Sequence, residues 1–184
     1  MTGRFNNLLL PGRAMLIAVG AFAGLFLACA AAGVRFNTTE SLPLGIYVTT
    51  VGETNLVEFC PPEPFASMAL RRGYRTRGNC PDGGMPLLKP VVAVAGDLVS
   101  FSTLGIAVNG HLLENTAALG ADSYGRALPQ RRGGIYDVAP GTVWVASSYS
   151  LRSFDSRYFG PIPLAAIREH VRPLLTCPKL KHSK

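Results

Sequence analysis

Fourteen arginines supply most of the positive charge of this 184-residue chain, and only four lysines accompany them, three of which stand at 179 or later. The fourth, Lys89, is the sole lysine of the first 178 residues and sits inside an apolar run, Leu87-Leu88-Lys89-Pro90-Val91-Val92. Burial disfavours a charged ammonium and draws its pKa below the usual value of about 10.4. A lysine in that setting can be neutral and take a proton, which a guanidinium does not do. Such a base needs a nucleophile to serve. Ser41, in Asn37-Thr38-Thr39-Glu40-Ser41-Leu42-Pro43-Leu44-Gly45-Ile46-Tyr47, is the candidate, because a serine attacks only when a base removes its proton as the bond forms. A serine ahead of a proline is equally an ordinary turn or cap residue, so Ser41 taken alone leaves both readings open.

A third segment changes the weighing. Ser153-Phe154-Asp155-Ser156-Arg157-Tyr158-Phe159-Gly160-Pro161-Ile162-Pro163 follows Thr39-Glu40-Ser41-Leu42-Pro43 and Lys89-Pro90-Val91-Val92-Ala93-Val94-Ala95-Gly96-Asp97 in chain order. The three resemble, respectively, the nucleophile box, the general-base box and the S-x-D-S-R-Y-x-G box of the type I signal peptidases, which are Ser-Lys membrane-bound serine peptidases. The resemblance covers most of residues 37–165. It implies that Ser41 attacks the scissile carbonyl and that Lys89 carries the proton. It further implies that the Ser41 backbone N–H and the Thr39 hydroxyl form the oxyanion hole, that Ser153 hydrogen-bonds and aims the Lys89 amine, and that Asp155 pairs with Arg157 to hold the loop against the catalytic strand. Neither metal nor cofactor is implied. The plainer roles stand beside these: Thr39 as a turn cap, Ser153 as a partner for loop backbone, Asp155 and Arg157 as a surface ion pair.

Leu42 stands where the general signal peptidases carry methionine, Pro43 comes one position early, and Ser147 to Arg152 lacks their Gly-Asp-Asn run. With Ser-Leu-Pro-Leu-Gly-Ile-Tyr and the Phe-Asp-Ser-Arg-Tyr-Phe-Gly-Pro-Ile-Pro stretch, these departures look more like the conjugative-transfer branch, the TraF-type peptidases. That likeness implies a pilin precursor as substrate, other conjugative transfer subunits as partners, removal of a C-terminal peptide, and joining of the pilin ends through the acyl-enzyme. A general signal peptidase acting on exported preproteins is the alternative, and a non-catalytic assembly subunit of the transfer channel is a further one.

These residues need elements to hold them. At the front, Ala14 to Gly33 runs twenty residues without a charge, about 30 Å as a helix and enough for one bilayer core. Arg4 and Arg13 precede it, so the positive-inside bias places residues 1–13 in the cytoplasm, the span in a bacterial inner membrane, and residues 34–184 in the periplasm as the peptidase domain. A cleavable signal segment is the rival reading, giving a released periplasmic protein. A lipoprotein reading through Cys29 is weakened by Phe26-Leu27-Ala28, which lacks a small residue two places before the cysteine. Export places Cys60, Cys80 and Cys177 in an oxidising compartment, with Cys60 and Cys80 the natural disulfide pair and two reduced, buried thiols the alternative.

With 48% hydrophobic residues, 16% charged, 20 glycines and 14 prolines, the composition excludes a disordered tail, a coiled coil and a simple helical bundle. It fits a mainly β domain with irregular loops behind one helix. Leu87 to Ala95, Leu98 to Phe101 and Gly105 to Val108 read as strands, with a hairpin turn at Asn109-Gly110. Gly134 to Val138 and Thr142 to Ser147 read as a further strand, turn, strand unit, Pro61 to Gly84 as an irregular excursion, and Pro163 to Val171 as a short helix. The arginines at 71, 72, 75, 77, 126, 131 and 132, with the tail lysines, suit an acidic lipid surface or a protein partner better than nucleic acid, or are simply a solvated surface. His111 and His170 lack metal-ligand spacing.

Overall fold

A computed structural model describes residues 10–52 and 54–177, apart from the side chains at 10, 11, 13, 25, 26, 29 and 30. The three tail lysines and most of the segment expected in the cytoplasm lie outside the described residues. The first element is a helix, α1 (Leu10–Ala31), on which Met15, Leu16, Ile17, Val19 and Phe22 are all exposed. It falls on the apolar run of the sequence. Among the described residues no helix is long and apolar enough to cross a membrane, so the crossing stays an expectation.

The rest is mainly β, as the strand patterns predict. In chain order come β1 (Val34–Asn37), β2 (Leu44–Thr49), β3 (Leu56–Phe59), the helix α2 (Phe65–Arg71), β4 (Leu87–Ala93), β5 (Leu98–Ser102), β6 (Gly105–Val108), β7 (His111–Leu112), β8 (Gly134–Asp137), β9 (Thr142–Val145), a four-residue helix α3 (Ser156–Phe159), β10 (Ile162–Pro163) and β11 (Ile167–Cys177). They form a seven-stranded sheet in the order β1-β2-β11-β3-β4-β9-β10 and a four-stranded sheet in the order β7-β6-β5-β8. Asn109 and Gly110 both take positive φ, 49° and 83°, and turn β6 into β7, the geometry an Asn-Gly hairpin supplies.

Three parts of the sequence reading need correction. Residues 163–171 carry no α-helix: after one 3-10 turn at Leu164–Ala166 the chain becomes β11. Absence of a helix breaker was a weak signal, and pairing with two neighbouring strands overrides it. β11 lies between β2 and β3, bonding the first through Val171 to Cys177 and the second through Ile167 to His170. Its register shifts at Ile167/Glu169 and at Pro173/Leu175, the latter where proline lacks a donor. Gly45 lets β2 approach it, since a Cβ there would lie 2.2 Å from the Leu175 carbonyl oxygen.

Second, the strand, turn, strand unit over 134–147 has both strands where expected, β8 and β9, but it is not a hairpin: β8 bonds β5, β9 bonds β4 and β10, and Ala139-Pro140-Gly141 passes the chain from the small sheet to the large one. Third, the excursion 61–84 contains α2, and several of the arginines read as surface charge are internal fasteners. Arg75 is buried and bidentate with Asp82, Arg126 pairs with Asp122, and Arg131 stacks over Tyr136 and Trp144.

The main core cluster includes Val57, Phe59, Val145, Phe154, Tyr158, Phe159 and Ile162, with Leu87 and Val91 packed against it. A smaller one joins Leu42, Tyr47, Leu56 and Val171. Lys89 alternates with Leu87 and Val91 on one face of β4, the face turned to the main cluster.

Candidate active site

Residues 38–43 form the loop between β1 and β2. Antiparallel pairing of Asn37 with Gly45 closes its neck, and Leu42 is buried in the core beneath it. The Asn37 amide sits inside the loop: Nδ2 donates to the carbonyls of Thr39 (3.0 Å), Leu42 (3.2 Å) and Pro43 (3.0 Å), while Oδ1 accepts from the Thr39 N–H (3.2 Å) and hydroxyl (2.9 Å). From below, the Tyr47 hydroxyl donates to the Pro43 carbonyl at 2.7 Å. Ser41 is thereby presented on a short loop whose carbonyls are tied down on several sides. Its Oγ lies 3.2 Å from Thr39 Oγ1.

Lys89 reaches this loop from β4. Its Nζ is 2.6 Å from Ser41 Oγ, 48 positions away in the chain. The side chain is buried, and that burial pushes its pKa down to about 8; the Asp155 carboxylate opposes the shift and the Arg157 guanidinium adds to it. The cause is the one the sequence suggests: an amine desolvated on the core face of a strand. β11 brings the two halves together, because it seats the β1–β2 hairpin that carries Ser41 beside the β3–β4 pair that carries Lys89.

The third wall is the segment after β9. Ala146 N–H bonds the Pro90 carbonyl at 3.0 Å and extends the β4–β9 ladder by one residue, which brings Ser147 to the loop of Ser41. The Ser147 hydroxyl donates to the Ser41 carbonyl and accepts from the Tyr149 N–H. Asp155 and Arg157 are fully buried and bonded side by side, Nε to Oδ1 at 2.8 Å and one terminal nitrogen to Oδ2 at 3.0 Å. Arg157 also donates to the carbonyls of Ser147, Asn115 and Leu151, and Asp155 accepts the Ser147 N–H at 3.0 Å. This is an internal knot and not the surface ion pair of the plainer reading. Two ions withdrawn from water are tolerable when nearly every donor and acceptor is used.

Ser153 does not make the bond expected of it. Its hydroxyl is buried with no hydrogen-bond partner, and its N–H donates to the Ser150 carbonyl at 3.1 Å, a turn that leaves the side chain on the cavity wall instead of on the amine. That cavity, of about 270 Å³, is shared by Thr39, Ser41, Lys89 and Ser153 and continues along Tyr74, Leu119, Asp122, Leu128, Phe154 and Tyr158. It is apolar toward the core, with Ser41 and Lys89 at one side. Cys60 and Cys80 have their sulfur atoms 2.05 Å apart at the ends of the segment that carries α2 and Tyr74, and Cys177 is free and exposed. His111 is on β7 and His170 on β11, where its ring meets Thr54 backbone; neither lines the cavity. Among the described residues no cluster of His, Cys, Asp or Glu is arranged to hold a metal.

Asn37 and Ser147 are the two site residues that the sequence does not single out. In the sequence Asn37 is only the residue before the loop, the last of β1. Ser147 lies in a serine-rich stretch in which nothing marks one hydroxyl above another.

In comparisons with known proteins, the family described as "Signal peptidase, peptidase S26" matches residues 14–174. A plasmid transfer protein TraF of Escherichia coli is 40% identical over 166 residues, covering 87% of this chain and 94% of that protein. A conjugal transfer protein TraF of Agrobacterium fabrum is 38% identical over 150 residues, 78% of this chain and 83% of that one. A crystal structure of a signal peptidase I from Enterococcus faecalis V583 is 15% identical, covers 66% of this chain and 97% of that one, and superposes with a TM-score of 0.35.

Proposed function

Because this chain belongs to the signal peptidase family, peptidase S26, and is a serine peptidase of that family, we propose that it is an inner-membrane endopeptidase that matures the pilin subunit of a conjugative transfer system, with Ser41 as nucleophile and Lys89 as base. The observation that carries the dyad is the 2.6 Å contact between Ser41 Oγ and a buried Lys89 Nζ whose pKa is pushed down to about 8. The transfer role is supported by the likeness over most of the chain to proteins named for plasmid and conjugal transfer. An anchor is supported by the uncharged run from Ala14 to Gly33, and a periplasmic peptidase domain beside the lipid bilayer by Arg4 and Arg13 ahead of that run.

In the first half-reaction Ser41 Oγ bonds to the scissile carbonyl carbon while its proton passes to neutral Lys89. The carbonyl oxygen becomes an oxyanion, held by the Ser41 N–H and the Thr39 hydroxyl. Each such donor is worth about 10² to 10³ in rate. Lys89 then returns the proton to the departing amine as the C–N bond breaks, leaving an ester on Ser41. In the second half-reaction the neutral amino terminus of the same pilin attacks the ester and gives its proton to Lys89, which passes it back to Ser41 Oγ. One peptide bond is broken and another formed, with no water consumed. If water attacks instead, the product is an ordinary linear chain. Ser153 lines the same cavity as the pair and makes no bond to the Lys89 amine in this structure.

The test is the intact mass of the cognate pilin from cells carrying this protein or its Ser41→Ala variant. The proposal predicts a subunit lighter by the residues of a C-terminal peptide plus one water, together the mass of the released peptide, only when Ser41 is present. Loss of those residues without the water makes the enzyme hydrolytic. An unchanged pilin, with other preproteins accumulating, makes it a general signal peptidase.

A further inference from the structure

We infer that Asn37 is a positioning residue for the oxyanion hole, the far end of a hydrogen-bond chain that runs Lys89, Ser41, Thr39, Asn37. The inference rests on the reading of Ser41 as nucleophile and goes beyond it.

The direction of each bond follows from donor and acceptor capacity. Three carbonyl oxygens, those of Thr39, Leu42 and Pro43, surround one end of the Asn37 amide. That end is therefore the NH₂, since an amide oxygen would face three acceptors. The other end is the oxygen, which can only accept, so the single hydrogen of the Thr39 hydroxyl is engaged by Asn37 Oδ1 at 2.9 Å. The lone pairs of Thr39 Oγ1 are then left facing Ser41 Oγ at 3.2 Å. With Lys89 charged, Nζ donates to Ser41, Ser41 to Thr39, and Thr39 to Asn37. Every hydroxyl hydrogen points away from the amine, which is the resting arrangement.

Reaction needs the opposite polarity. Ser41 must give its hydrogen to Lys89, and Thr39 must turn its hydrogen from Asn37 toward the new oxyanion. Asn37 thus does two jobs with its two ends. The NH₂ fixes the loop backbone on either side of Ser41, so the nucleophile and the Thr39 hydroxyl keep their separation. The oxygen, accepting from both the Thr39 N–H and its hydroxyl, keeps Oγ1 beside Ser41, so that one rotation about the Cβ–Oγ1 bond turns the hydrogen to the oxyanion. A neighbour that only packed against the loop would do the first job and leave the hydroxyl free to point anywhere.

The inference makes the effect of Asn37 depend on Thr39, and a double-mutant cycle reads that dependence. Full-length enzyme in detergent, acting on the pilin precursor of the same transfer system, gives kcat and KM for wild type, Asn37→Ala, Thr39→Val and the double variant, with Ser41→Ala alongside. Asn37→Ala should lower kcat by about tenfold or more and leave KM within about twofold, because only the transition-state donor is displaced. In the Thr39→Val background the same substitution should change kcat by less than about threefold. Asn37→Asp, which keeps the shape and the accepting oxygen but loses the NH₂, should fall with Asn37→Ala and stays informative if the alanine variant fails to fold. An equal loss in both backgrounds, a rise in KM with kcat unchanged, or wild-type kcat in Asn37→Ala overturns the inference while leaving Ser41 untouched. Full activity of Ser41→Ala overturns the nucleophile reading instead.

Discussion

The hydroxyl of Ser147 donates to the backbone carbonyl of Ser41, 106 positions earlier in the chain. The same residue gives its own carbonyl to Arg157 and its N–H to Asp155. The Ser41 backbone is therefore tied, through one serine, to a buried ion pair that never touches it. The same ion pair acts electrostatically on Lys89, the Asp155 carboxylate and the Arg157 guanidinium in opposite senses. The Ser41 loop and the ion pair form one hydrogen-bonded unit through Ser147.

Ser147→Ala removes the donor and leaves a part-buried carbonyl unpaired, a loss of about 1 to 3 kcal/mol. Stability should fall by that amount in urea unfolding, and kcat should fall further than KM rises as the Ser41 loop loses one restraint.

Asp155→Ala strands a buried guanidinium and Arg157→Met strands a buried carboxylate. Each should destabilise by about 3 to 5 kcal/mol. The double variant Asp155→Ala/Arg157→Met should recover part of that loss in thermal unfolding, because no unpaired charge remains, yet stay poorly active because Ser147 is no longer held.

Lys89→Met should be inactive and more stable at neutral pH. The folded pKa of about 8 lies below the exposed value of 10.5, so the buried charge destabilises the fold fully below about pH 8 and ceases to do so as pH rises to 10.5. From that difference the gain at pH 7 is at most about 3 kcal/mol. The gap between variant and wild type should close as unfolding is measured from pH 8 toward pH 10.

Cys60→Ser/Cys80→Ser opens a loop of sequence separation 20, which costs about 3 kcal/mol in the chain-entropy model. Thermal unfolding should shift down. Activity well below the new midpoint should persist, because neither sulfur lines the cavity that holds Ser41 and Lys89.

The parts of this site that the sequence displays are those that need a particular residue type. A solitary lysine in an apolar strand is legible because it contradicts its surroundings, and Asn109-Gly110 is legible because few residues accept positive φ. Tertiary devices are not. β11 looks like a breaker-free segment until β2 and β3 are present to pair with it. Arg75 and Arg131 look like surface charge until Asp82 and Trp144 come from elsewhere in the chain. Asn37 and Ser147 act on backbone carbonyls, which carry no signature in the side-chain sequence at all. Ser153 shows the converse, a residue marked by its motif whose expected bond is absent.

The central claim is that Lys89 is the neutral base for Ser41, and the pH dependence of single-turnover acylation tests it most directly, with full-length enzyme in excess over the pilin precursor. The acylation rate should rise about tenfold per pH unit below about pH 8, level off above it, and vanish at every pH in Lys89→Met. A rate flat between about pH 6 and 9, or a Lys89→Met variant that still acylates with the wild-type profile, would contradict it.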